Sequence, residues 1–177
     1  MIICMRLSKF TLFFSLYVII SSVFMQRVWG VWKAISGVKT VTLLLAVLCL
    51  AAISAILWQN IKSGLSIKRL ILIGALCAWG FIFAWRQPYL SEKAHVLEFG
   101  LVGWLAMRDL AGGSKYLLKD ILYVLIFTAI IGYLGEGIQK FLPWRVFEVR
   151  DIITNVLSGA LGVILFIISE RKTADLK

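Results

Sequence analysis

Three short patterns in this chain gather side chains able to do chemistry. His95 and Glu98 stand three apart, so a helix puts imidazole and carboxylate on one face. Glu136 and Gln139 repeat that spacing with an acid and an amide, and Asp151 and Asn155, four apart, are also neighbours. Lys93, Arg145 and Arg150 place cations beside them. Two active readings follow. In one, the bases clamp a phosphate or an anionic lipid headgroup, arginine bidentately, while the acids orient them. In the other, His95 with Glu98, Glu136 and Asp151 is a mixed nitrogen and oxygen set for a metal ion or for acid–base work. Neither spacing is diagnostic, and a single histidine supplies no H-E-x-x-H pair. Ser91 and Ser158 lie close by, but no G-x-S-x-G elbow presents a nucleophile. A third reading needs no ligand: the groups pair with one another and hold helices together.

The elements that must position these residues are apolar runs. The 177-residue chain is 61% hydrophobic and 16% charged, the balance of a protein immersed in lipid. Its net charge of +10 sits in short connections between the runs. There lysine and arginine set topology and meet anionic headgroups, which argues against nucleic acid as a partner. Six runs are legible: Phe10 to Met25, Val41 to Trp58, Leu70 to Trp85, a short fourth run opening with SEKAHVLEF, Ile121 to Ile138, and Ile152 to Ile168. The expected fold is therefore an all-α membrane bundle of about six helices. Run one follows Arg6 and Lys9 without a small-residue cleavage site, so it reads as an uncleaved helix rather than a signal peptide. Cys4, Cys49 and Cys77 have no metal-ligand spacing and read as small core residues. Tryptophans at run ends, such as Trp29, Trp58, Trp85 and Trp144, read as interfacial anchors.

Alternating crossings carry a consequence for the site. The His95 patch opens run four, and the Glu136 to Asn155 stretch joins run five to run six, so both belong to one membrane face. Five of the nine carboxylates (Glu92, Glu98, Glu136, Glu148 and Asp151) gather there with the single histidine. Eleven lysines and arginines fall on the side of the termini and eight on the side of the clusters. The positive-inside rule then makes the termini cytoplasmic and the cluster face extracytoplasmic. Asn155, Ser158, Gly159 and Gly162 form a stripe of small residues on run six, expected to pack against run four or five.

The ordered residues Glu92-Lys93, His95-Val-Leu-Glu98-Phe99-Gly100, Gly135-Glu136-Gly-Ile-Gln139, Pro143-Trp-Arg145, Arg150-Asp151, Asn155, Gly159 and Gly162 resemble the signature of the VanZ-like family of bacterial integral membrane proteins. The resemblance covers roughly residues 70 to 168. It implies a four-helix family domain over residues 67–170, preceded by a two-helix addition over 1–66 and followed by a charged tail, 171–177. It also implies a multi-pass protein of the bacterial inner membrane, with His95, Glu98, Glu136, Gln139, Arg145, Asp151 and Asn155 as signature positions. The family takes its name from a protein of teicoplanin-type resistance acting at the cell envelope. The expected role is therefore binding or handling an envelope lipid or lipid-linked ligand, with a lipid-phosphate hydrolase or transferase, or a non-catalytic membrane interaction protein, as the alternatives. The chain departs from the pattern at Gly135, where many members carry an acid beside Glu136, and at Trp144, where a small residue is usual.

Overall fold

The computed structural model describes residues 7–110, 118–142 and 148–170. These form six α-helices and, among the described residues, no strand. They are α1 (Lys9–Ser36), α2 (Val38–Lys62), α3 (Ile67–Trp85), α4 (Leu90–Leu110), α5 (Leu118–Gln139) and α6 (Val149–Ser169). All six expected runs are helical, and most extend a few residues past their apolar limits. α3 reaches back to Ile67, and its 19 residues span about 28 Å, close to the hydrocarbon thickness of a bilayer. Five of the six, all but α4, are long and apolar enough to cross a membrane. Those five crossings' worth of apolar helix mark a multi-pass membrane protein.

α1 and α2 are separated only by Gly37, whose φ of 79° is open to glycine and strained for other residues. That residue folds the two helices into a hairpin, in which Trp29 packs beside Val41 and Leu45. α2 then stays at the periphery, touching only α1 and α3 extensively. Leu43, Val47, Leu48 and Leu50 are more than half exposed, an arrangement that water would penalise and lipid accepts.

α4 is the reverse case. It is 21 residues long and carries Glu92, Lys93, His95, Glu98, Arg108 and Asp109. A helix so polar is tolerated at membrane depth only where protein covers it, and α4 is the most enclosed element: α1, α3, α5 and α6 all pack on it. Its largest contact is with α6, which runs parallel to it. Glycines set that contact. A Cβ on Gly103 would run into the Gly159 carbonyl oxygen, and one on Gly162 into the Gly100 carbonyl oxygen, with the Trp104 nitrogen 2.9 Å away. The two backbones touch, which only glycine permits. The other face of the α6 stripe meets α5, where a Cβ on Gly159 would come within 2.6 Å of Thr128. The small-residue stripe therefore serves two seams at once. Its hydroxyls are satisfied within their own helices, Ser158 Oγ donating to the Thr154 carbonyl and Thr128 Oγ1 to that of Val124, both at 2.7 Å.

Candidate functional site

Enclosing α4 brings its first two turns against the end of α5 and the start of α6. A cavity of about 10 Å³, room for about one water molecule, lies between them. α4 contributes His95 and Phe99 to it, α5 contributes Ile131, Gly132, Gly135, Glu136 and Gln139, and α6 contributes Asn155. The fourth wall is α1, through Val18, Ile19 and Ser22. Four of the eight residues singled out in the sequence, His95, Glu136, Gln139 and Asn155, thus converge from three helices. The juxtaposition follows from helix direction: α4 and α6 begin, and α5 ends, at the same end of the bundle.

The convergent groups are deeply buried, Glu136 at 2% exposure, Gln139 at 0% and Asn155 at 3%. His95 Nδ1 lies 2.9 Å from Glu98 Oε2. A carboxylate only accepts, so that contact puts a ring proton on Nδ1. Gln139 Nε2 donates to Glu136 Oε1 at 3.1 Å. The Asn155 carboxamide lies across Gly132, its Nδ2 3.3 Å from where a Cβ on that glycine would be. A side chain on Gly132 would displace it.

Of the remaining candidates, Glu98, Lys93 and Asp151 lie outside the cavity wall. Glu98 stands behind His95 and orients the ring. Lys93 turns away: its Nζ donates to the carbonyls of Trp85 and Gln87, both at 2.6 Å, and sits 5.2 Å from the Trp85 ring centroid. It thereby satisfies carbonyls at the C-terminal end of α3, which lack partners within the helix. Asp151 is engaged by Arg150 Nε at 3.5 Å, and the same guanidinium reaches Glu92 and Glu148, each at 3.2 Å. Arg150 thus ties the first turns of α4 and α6 together. Arg145, with the Pro143 to Phe147 connection, lies outside the described residues.

These positions bear on the chemistries open to the site. Two of the three bases expected to clamp a phosphate, Lys93 and Arg150, are committed to backbone carbonyls and to carboxylates. Among the described residues, no group of three histidine, cysteine or acidic side chains lies close enough to hold a metal ion. Ser158 donates its hydroxyl to a main-chain carbonyl and is one helix turn deeper than Asn155. What the cavity presents is a hydrogen-bonding set of imidazole, carboxylate and two carboxamides around space for one small polar group.

Ser22 and its neighbours on α1 were invisible to sequence reading as site residues. Run one has serines at 15, 21 and 22, but serines in an apolar helix commonly bond their own main chain, as these do. A second polar centre was equally hidden. At the opposite end of α4, Asp109 Oδ2 accepts from the Ser8 main-chain N–H at 2.7 Å and from Thr11 Oγ1 at 2.5 Å. Its Oδ1 accepts from the Arg108 guanidinium at 2.9 Å. Ser8 also caps α1 by accepting from the Thr11 N–H. No spacing links residues a hundred positions apart, so only the folded chain reveals this centre.

No family model, curated protein or solved structure matches this chain. The VanZ-like resemblance therefore rests on the residues themselves.

Proposed function

We propose that this is a VanZ-like protein of the bacterial inner membrane that binds an envelope lipid or lipid-linked ligand at the end of the bundle where α4 and α6 begin. In this reading all six helices cross the bilayer, α4 included, because its neighbours rather than lipid surround its acids. The lysine and arginine balance puts the site end on the extracytoplasmic side. The last four helices form the family core, and α1 closes the site from the side.

One observation carries the reading: His95, Glu136, Gln139 and Asn155, all buried, come from three helices to one cavity at a single end of the bundle. Burying an acid, an imidazole and two amides together in an apolar bundle is costly. Gln139 holds Glu136, and the set still keeps a small cavity at its centre, which suits a ligand reaching that end of the bundle.

The test is mass spectrometry of lipids that co-purify with the wild-type protein and with His95→Ala. A lipid class enriched in the wild type and depleted in the variant is the expected result. Identical lipid profiles overturn the reading. Expression in a susceptible host, scored for teicoplanin susceptibility, checks the envelope role that the resemblance implies.

A further inference from the structure

The α1–α2 hairpin outruns the bundle. Ser8, immediately before α1, donates its N–H to Asp109 near the end of α4, which sets these two helix ends level. From there α1 runs 28 residues, about 42 Å, against 21 residues, about 31 Å, for α4. At the far end Trp29 packs with the cluster that holds Leu90, the first residue of α4. Beyond that level the hairpin is unaccompanied among the described residues. α1 buries nothing after Ser22, α2 buries nothing before Val41, and a Cβ on Gly30 or Gly37 would meet no atom within 4 Å. Residues 30–40 thus form a tip that reaches about 10 Å past the start of α4.

This tip is both apolar and cationic. Val31, Ile35 and Val38 are 61%, 78% and 62% exposed, and Trp32 stacks on Trp29 at 5.6 Å. Lys33 and Lys39 stand among them, and among the described residues neither joins an ion pair. No neighbour in the chain balances them, because no aspartate or glutamate precedes Glu92. Bilayer hydrocarbon is about 30 Å thick, so the overhang of α1 lies at headgroup depth, where tryptophan is also favoured. Water alone would leave three aliphatic side chains bare, and the acyl core would strip two ammonium groups of their hydration. The boundary between lipid phosphates and acyl chains accepts both at once. A second copy of the tip would bring the same two lysines to a two-fold contact, where they repel.

We infer that the α1–α2 tip docks on the headgroup layer of an anionic leaflet, with Lys33 and Lys39 on lipid phosphates and Val31, Ile35 and Val38 in the upper acyl region. A zwitterionic leaflet serves poorly, since each phosphate there already has a cation of its own. Lys33 lies about 16 Å along α1 from Ser22 in the cavity wall. The surface is therefore separate from the cavity and stands whether or not the cavity takes a ligand.

The experiment places an environment-sensitive fluorophore on Ile35→Cys in the full-length protein. The labelled protein is reconstituted in vesicles of phosphatidylglycerol or of phosphatidylcholine with identical acyl chains. Cys49 and Cys77 are buried, and wild type carried through the same labelling supplies the blank. Emission should shift to the blue in the phosphatidylglycerol vesicles relative to the phosphatidylcholine vesicles. Lys33→Gln with Lys39→Gln should erase that difference at an unchanged melting temperature, since both side chains lie outside the packed bundle. Equal emission in the two kinds of vesicle, or a shift that survives loss of both lysines, overturns the inference. A shift that grows with the ratio of protein to lipid assigns the tip to a second copy and overturns it too.

Discussion

The two ends of α4 solve the same problem in opposite ways. At the C-terminal end, Asp109 is enclosed by donors from Ser8, Thr11 and Arg108, with each carboxylate oxygen engaged. Nothing is left for a ligand to do. At the N-terminal end, His95, Glu136, Gln139 and Asn155 face a cavity, and among the described residues no hydrogen bond holds the Asn155 carboxamide. A clasp and a site can thus be built from the same residue types on one helix. What distinguishes them is whether the donors and acceptors cancel within the protein. The clasp joins α1 to α4 and fixes how α1 lies along the bundle, which in turn sets Val18, Ile19 and Ser22 as the far wall of the cavity.

This contrast can be broken from several directions. The largest effect should come from the seam that holds both ends in register. Gly162→Val drives side-chain atoms into the Gly100 carbonyl and the Trp104 nitrogen, and should cost about 3 kcal/mol or more. The measurement is thermal unfolding in detergent, where a variant that melts like the wild type would show that the helices can part freely there.

Asp109→Ala comes next. It strips a buried acceptor from the Ser8 N–H and the Thr11 hydroxyl and should lower stability by about 2 kcal/mol. Lipid retention should persist in the folded fraction. Loss of the ligand at unchanged stability would instead make this end part of the site.

Arg150→Gln should do less. The guanidinium is half exposed, so its three carboxylate contacts are screened by solvent. The expected result is a small drop in melting temperature that shrinks further at high salt, and a large, salt-independent drop would show that the bridge is effectively buried.

The smallest effect on stability belongs to the site. Asn155→Leu removes a carboxamide that makes no hydrogen bond among the described residues, and should leave stability within about 1 kcal/mol of wild type. A loss as large as that of Asp109→Ala would erase the distinction between the two ends.

Hydropathy in the chain was sufficient for the six helices and for their approximate limits, because each is an apolar run bounded by charge and five of them are long and apolar enough to span lipid. Alternation of crossings was sufficient to bring His95 and Glu136 to one end, since parity does not depend on packing detail. The α6 stripe of Asn155, Ser158, Gly159 and Gly162 likewise announced a close seam, because only small residues let backbones touch.

Which way each helix turns was not available from the chain. In lipid, an apolar side chain is equally at home against an acyl tail or a neighbouring helix, so the runs carry little pattern to fix their rotation. Tertiary packing alone decided that Lys93 swings back to the end of α3, that Arg150 rather than a ligand occupies Glu92, Glu148 and Asp151, and that α1 supplies a wall. It also decided that the most polar helix lies at the centre. Burial by four neighbours is what lets α4 carry acids, bases and a histidine within an otherwise apolar bundle.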